Sequence, residues 1–538
     1  MTENARKKNC VRYLLPFLLL LLCALPLTGC RQSVQVKTVL ATPAIRETET
    51  PIPTPSPEPT PSVRPTVSTP PQFQSEETLP PENEQLINPK KATYERLGFD
   101  KEQKKALEEM AAEGKNMPIL YVTTNGGEYI LSRTDYSSCV IDVFNCPEEW
   151  ALDEASAGIR VRGNSSGYYG DVEKIKANPV PYRIKFDKKT NLLGLNSGAK
   201  CKSWVLLKAG YDVMRNEFAF RLGRTIMGDH AFCSDSTLVH VYVNDVYQGV
   251  YTLCEQCQVN EHRVNIAEPK KGYTGVDIGY YLVIDNNPEY PLSFEVNYGK
   301  HWITDIEGLR REFVPTAYTV KSDVYTLGQI GFIAQYVNSV FEIVYQACEK
   351  DRYLALDGSF DLITGSASSA REAVEAVLDV ESVVNMYLLY EIMHDYDVGE
   401  GSFYMCVDFS ENSACPRLQF TSPWDFNWTC EGRTDRYWAG AFSEAGFVGR
   451  NGDRTNPWFV VLIKQEWFRD IVKQKWTELA SRNAIIGCLN EEIEVLEANK
   501  TELNAWRGSA VSSAYNVIIW LKNRIKWMDS QFLLTDAL

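Results

Sequence analysis

Between about residues 117 and 256 apolar and polar positions alternate in short runs, the pattern of half-buried strands. The runs are "PILYVTT" (118–124), "SCVIDVF" (138–144), "GIRVRG" (158–163), "PYRIKFD" (181–187), "SWVLLKAG" (203–210), "TLVHVYVN" (237–244) and "GVYTLCEQ" (249–256). "NDVYQG" between the last two reads as a hairpin turn, with Asn244, Asp245 and Gly249 supplying the turn chemistry. One helix, "DVMRNEFAFRLGRTIMG", interrupts the strands, and Asp212 is placed to cap it. Beyond about residue 325 the apolar spacing becomes helical in "QIGFIAQYVNSVFEIVYQACEK", "SSAREAVEAVLDVESVVNMYLLYEIMHD", "VVLIKQEWFRDIVKQKWTELA" and "NVIIWLKNRIKWMDSQFL". This order predicts an α+β protein: a mixed or antiparallel sheet lobe over 117–325, then a helical lobe over 326–538. A further helix is expected near 99–114, within a lead-in over 86–116.

The chain starts differently. Basic residues Arg6, Lys7, Lys8 and Arg12 precede the apolar stretch "LLPFLLLLLCALPL" and then "LTGC". This is the layout of a secretory signal over 1–29, and Leu27-Thr28-Gly29-Cys30 resembles a lipobox, with Cys30 receiving the lipid. The expected location is therefore extracytoplasmic, anchored by lipid to a bacterial cell membrane. Residues 30–85 are rich in Pro, Thr and Ser and predict a solvated tether, whose Pro-dense stretch from Ala41 to Pro81, at most about 3 Å per residue, spans roughly 100 Å.

The chain carries 55 basic and 70 acidic residues. Removing the signal takes four basic and one acidic residue and leaves 51 against 69, a net charge near −18. That sign argues against nucleic-acid binding, which needs a basic footprint. Of fourteen cysteines, Cys139 with Cys146 and Cys415 with Cys430 are spaced to pair across short loops. Cys254 and Cys257 form a CxxC without a thioredoxin-like frame.

Residues 394–428, "HDYDVGEGSFYMCVDFSENSACPRLQFTSPWDFNW", set Asp395, Asp397, Asp408 and Asp425 among aromatic residues. Burying ionised carboxylates costs several kcal/mol unless donors or a cation meet them. Either these acids lie on a wet rim or something positive binds there. "RGNSS" (Arg162, Gly163, Asn164, Ser165) follows a strand as a polar turn whose N–H groups and guanidinium suit phosphate. Arg183 and Lys185 share one face of their strand.

In sequence order, "IRVRGNSS", "PYRIKFDKKTNLLGL", "WVLLKAGYDVMRNEFAFRLG", "VYVNDVYQGVYTLCEQ", "YLLYEIMHDYD" and "SPWDFNW" resemble the CotH family of spore-coat and surface kinases. The resemblance implies an atypical protein-kinase-like, two-lobed fold. It also implies ATP as substrate, Mg2+ or Mn2+ as cofactor, and transfer to hydroxyls of exported, coat or wall proteins. On that pattern Asp397 is the catalytic carboxylate, while Asp425, Ser402 and Asn427 stand at the metal positions. Arg162, Asn164, Ser165 and Lys185 face the nucleotide, and Glu255 pairs with Lys185 as an ion pair does in kinases generally. Arg215 is a second-choice nucleotide contact, fastening of the helix being its first. Family members carry Asn or Ser where Ser402 stands, and commonly a second Asp where this chain has Asn427. The alternative is a noncatalytic surface module of the same fold that binds protein partners, or wall polysaccharide through Trp302, Trp438 and Trp458.

Overall fold

The computed structural model describes residues 69–74, 77–79, 117–163, 165–168, 171–313, 315–441 and 455–534. The expected signal, Cys30, most of the tether, the helix at 99–114 and Asn164 lie outside the described residues.

All seven strands expected before residue 257 form: β1 (Ile119–Thr124), β2 (Ser137–Phe144), β3 (Leu152–Val161), β4 (Tyr182–Thr190), β5 (Cys201–Lys208), β6 (Ser236–Val243) and β7 (Val246–Glu255). They close into a barrel in the order β1-β2-β3-β4-β5-β7-β6. Neighbours are antiparallel except β1 and β6, whose parallel pairing from Ile119↔His240 to Val122↔Val243 completes the ring and leaves no bare edge. Period-2 alternation turns Leu120, Ile141, Ile159, Ile184, Trp204, Leu206 and Leu253 into the interior. β5 reads as an unbroken apolar run because its other face, Val205 and Leu207, packs on the main core. The β6–β7 hairpin turns through Asn244 and Asp245, both left-handed at φ 50° and 67°. Gly249 lies beyond the turn, at φ 110°, where a Cβ would come 2.6 Å from Trp506 Nε1.

A second sheet has the order β16-β15-β8-β12-β9. Its members are β8 (Gly279–Ile284), β9 (Ser293–Val296), β12 (Thr316–Val320), β15 (Phe403–Asp408) and β16 (Gln419–Thr421). Two short hairpins complete the strands: β10 (Trp302–Thr304) with β11 (Arg310–Glu312), and β13 (Leu354–Leu356) with β14 (Leu362–Thr364). The helices among the described residues are α1 (Val172–Ala177), α2 (Arg215–Met227), α3 (Leu327–Lys350), α4 (Ala370–Glu375), α5 (Val380–Met393), α6 (Pro457–Ile463), α7 (Glu466–Ser481), α8 (Ala484–Ala498), α9 (Lys500–Trp506) and α10 (Ala510–Phe532). α3 begins at a capping box between Thr326 and Gln329. α5 is buried on every side, with only Glu381 exposed, because it is packed all around. The buried Glu391–Arg524 pair binds α5 to α10.

The α+β class holds, but the sheets do not specify a two-lobed kinase. The N-terminal strands close on themselves, and β15, from the region read as helical, pairs with β8 on one side and with β16 on the other. The helix expected over 368–395 is two helices, because Asp379 caps a new start by accepting from Ser382 N. The end of the tether also departs from a solvated chain. Phe73 is buried against Phe332 at 5.4 Å between ring centroids, and Leu79 N donates to Tyr325 O at 2.9 Å. The expected cysteine pairs are not formed, and the eleven described cysteines are free thiols. Cys415 sits 3.6 Å, sulfur to sulfur, from Cys406 rather than beside Cys430, because the β15–β16 return brings those two together.

Candidate active site

A cavity of about 600 Å3 opens where the barrel's end meets the second sheet and the loops after α5 and β16. Its barrel side is built from Arg162, Gly163 and Ser165 after β3, Pro181 before β4, and Leu207 and Lys208 at the end of β5. Arg162 N donates to Pro181 O at 3.0 Å, closing the turn onto the next strand. Gly163 is left-handed at φ 83°, where a Cβ would collide with Ser166 Oγ. The Arg162 guanidinium lies 5.2 Å over the Trp424 ring, which fixes its direction.

The opposite wall is acidic and includes Asp395, Asp397 and Asp425. α5 ends at His394, left-handed at φ 58°, whose Nδ1–H donates to Glu431 O at 2.8 Å. Burial, and then the charge of Arg524, lower His394 to about 2, so the ring is neutral. Asp395 follows and is only 3% exposed. Its Oδ1 accepts from Asp397 N at 2.8 Å, a turn bond, while burial and then Asp397 and Asp425 hold its carboxyl well above the usual range. Asp395 therefore sits in a buried turn and not on a wet rim. Asp408 is likewise buried, accepting from Ala267 N and Ser410 N at 3.0 and 2.9 Å. Asp397 O receives Glu400 N and Gly401 N at 2.9 and 3.1 Å, a turn that delivers Ser402 to the start of β15.

The "PWDFNW" segment alternates. Trp424 and Phe426 are buried, and Asp425 and Asn427 are exposed on the cavity side. Phe426 packs against Tyr390 at 5.3 Å and Phe220 at 6.2 Å. Arg215 bridges Asp212 and Glu431, each at 3.1 Å, and donates to Asn427 O at 3.2 Å. Asp212 accepts from Met214 N and Arg215 N at 3.2 Å each, just ahead of the N-cap position it was expected to fill, which Met214 holds. Arg215 therefore fastens the loop to α2, and it is absent from the cavity lining.

The structure brings together Arg162, Ser165, Asp397, Ser402, Asp425 and Asn427 but leaves out Lys185 and Glu255. The expected Lys185–Glu255 pair is not formed, because the strand period separates them. Lys185 points outward with Arg183, whereas Glu255 follows Tyr251 and Leu253 on the interior side, opposite Trp204. Glu255 takes Arg263 at 3.0 Å and Asn196 at 2.9 Å. Burial, with Arg183 and Lys202 nearby, lowers Lys185 to about 8. The cations that line the cavity are Arg133, Arg162, Lys208 and Lys321, and Lys321 is paired with Glu289 at 3.2 Å. Arg133 and Lys208 went unread in the sequence. Lys208 closes a strand at the same end as Arg162, which is the signal that could have found it.

Among the described residues no three His, Cys, Asp or Glu side chains form a cluster able to hold a metal ion alone. The oxygen set of Asp397, Asp425 and Ser402 nevertheless suits magnesium, which usually takes one or two carboxylates and completes its shell from water and phosphate. Burial raises Asp395 most, and the charges of Asp397 and Asp425 add to it as negative charge that a hard cation would relieve. A sequence model for the family described as CotH kinase protein matches residues 159–526. The chain belongs to the CotH kinase family. A search of curated proteins found no match. The site residues from Arg162 to Asn427 fall within the matched CotH span, and Arg133 lies before it. This CotH protein is thus kinase-like by family.

Proposed function

We propose that this chain is a magnesium-dependent protein kinase that transfers the γ-phosphoryl group of ATP to hydroxyls of exported proteins while tethered to the membrane through Cys30. One observation carries the reading: a single cavity has Arg133, Arg162 and Lys208 on one wall and Asp395, Asp397 and Asp425 on the other. Phosphoryl transfer needs that polarity, with cations for the triphosphate and carboxylates for the metal and the attacking hydroxyl. Magnesium, when bound, offsets phosphate charge at the bond that breaks.

In this reading Arg162 and Ser165 hold phosphate oxygens and Lys208 adds charge beside them. Asp425 and Ser402 present oxygens to the cation. Asp397 receives the proton of the substrate hydroxyl as its oxygen bonds to the γ-phosphorus and the bond to the β-phosphate oxygen breaks, releasing ADP. Thermal-shift titration with ATP tests this: a rise in melting temperature only when Mg2+ is present supports it, and no rise under any metal condition contradicts it.

A noncatalytic module of the same fold is the second reading, favoured by the uncharged Asn427. Its polysaccharide version loses support, since Trp438 and Trp458 are 6% and 0% exposed and only Trp302, at 55%, faces solvent.

A further inference from the structure

A backbone N–H can only donate. Phe426 N lies 3.0 Å from Asn216 Oδ1, so that oxygen accepts and the nitrogen of the same amide must donate elsewhere. Asn216 Nδ2 meets Asn427 Oδ1 at 3.0 Å, which turns the Asn427 nitrogen onto Asp425 Oδ1 at 2.7 Å. With an N–H at one end and a carboxylate at the other, both amides have a single orientation. Asn216 is 7% exposed on the first turn of α2, whereas Asp425 and Asn427 stand at the cavity.

We propose that Asn216 and Asn427 form a positioning relay that sets the Asp425 carboxylate, and that Asn427 is not itself a cation ligand. Its nitrogen faces Asp425 and its oxygen is turned to the opposite side of the amide, onto buried Asn216, so the side of Asn427 nearest Asp425 presents a donor and not an oxygen. The sequence expectation of Asn427 at a metal position is thereby reassigned. An aspartate at 427 would place two carboxylates side by side and need a cation between them. The amide needs none, so Asp425, held at φ 66°, is oriented before any ion arrives. The relay rests on the proposed kinase reading only for the cation; its hydrogen bonds stand without it.

Mn2+ binding, followed by the electron spin resonance of the free ion in the presence of ATP, tests the relay on the Asn216→Ala, Asn427→Ala and doubly substituted chains. The relay predicts that each single change weakens Mn2+ roughly tenfold or more, the range for groups that orient a ligand, and that the double change is no worse than the poorer single one. Wild-type Mn2+ affinity in Asn216→Ala, or losses that multiply, overturns it. Asn427→Asp supplies a metal-independent arm and leaves α2 untouched. In EDTA it should melt below the wild type and recover with Mn2+, and equal melting in EDTA overturns the relay. If the unmodified chain binds no Mn2+ while the EDTA difference stands, the kinase reading fails and the relay is supported.

Discussion

Glu255 and Arg263 form a buried ion pair, Oε1 to Nε 3.0 Å, on the interior side of the barrel wall, and Lys185 stands on its outer side. Breaking a buried pair by removing one partner costs about 3–5 kcal/mol. Glu255→Ala should therefore destabilise the fold by about that amount in urea unfolding, whereas Lys185→Met should change ATP affinity less than about twofold. A Lys185→Met loss as large as that of Arg162→Met would return Lys185 to the site.

Glu391 and Arg524 make a second buried pair, and Glu391 also accepts from Trp438 N at 2.7 Å and Gly440 N at 3.2 Å. Arg524→Met leaves a carboxylate with two backbone donors and no cation. Its expected cost is again about 3–5 kcal/mol by denaturant melts. A change below 1 kcal/mol, on the order of an exposed pair, would contradict the burial.

Glu217 on α2 and Glu492 on α8 are buried, and burial raises both above their ordinary 4.5, with Glu217 raising Glu492 further. A carboxyl raised on folding binds more protons in the native than in the unfolded chain, so stability falls as pH rises. The loss should begin above 4.5 and continue through neutral pH until both native carboxyls ionise. Urea midpoints at successive pH values should show it, and Glu492→Gln should flatten the slope. An undiminished slope in that variant would remove Glu492 as its source.

The anchor proposal rests on Cys30. Cys30→Ala should leave an uncleaved precursor or release the protein from the membrane fraction. Unchanged lipid labelling of that variant would contradict lipidation at this position.

β4 was legible because one of its faces alternates with the interior, as Arg183 and Lys185 do between Tyr182, Ile184 and Phe186, whereas β1 and β5, buried on both faces, were legible as short apolar runs between turn residues. The second sheet was not. β8 reads "GYYLVI" and is buried throughout, so no alternation separates it from a buried helix. The turns at 162–165 and 395–402 and the Trp-Asp segment were readable from residue type and order, and all but the undescribed Asn164 can be located at one cavity. Faces across the barrel wall were not readable: whether Glu255 reaches Lys185 depends on register, which the sequence does not carry. Phe73 is the aromatic residue amid the polar tether that could have signalled its docking on α3.

Calorimetry of Asp425→Ala with Mg2+ and ATP, paired with a radiolabel transfer assay on Asp397→Asn, tests the central claim most directly. Asp425→Ala should lose magnesium-dependent ATP affinity, because about four negative charges then face an acidic chain without a fixed bridging ion. Asp397→Asn should bind ATP nearly normally while transfer falls by roughly 10² or more. Equal ATP binding by wild type and Asp425→Ala, or undiminished transfer by Asp397→Asn, would contradict the account.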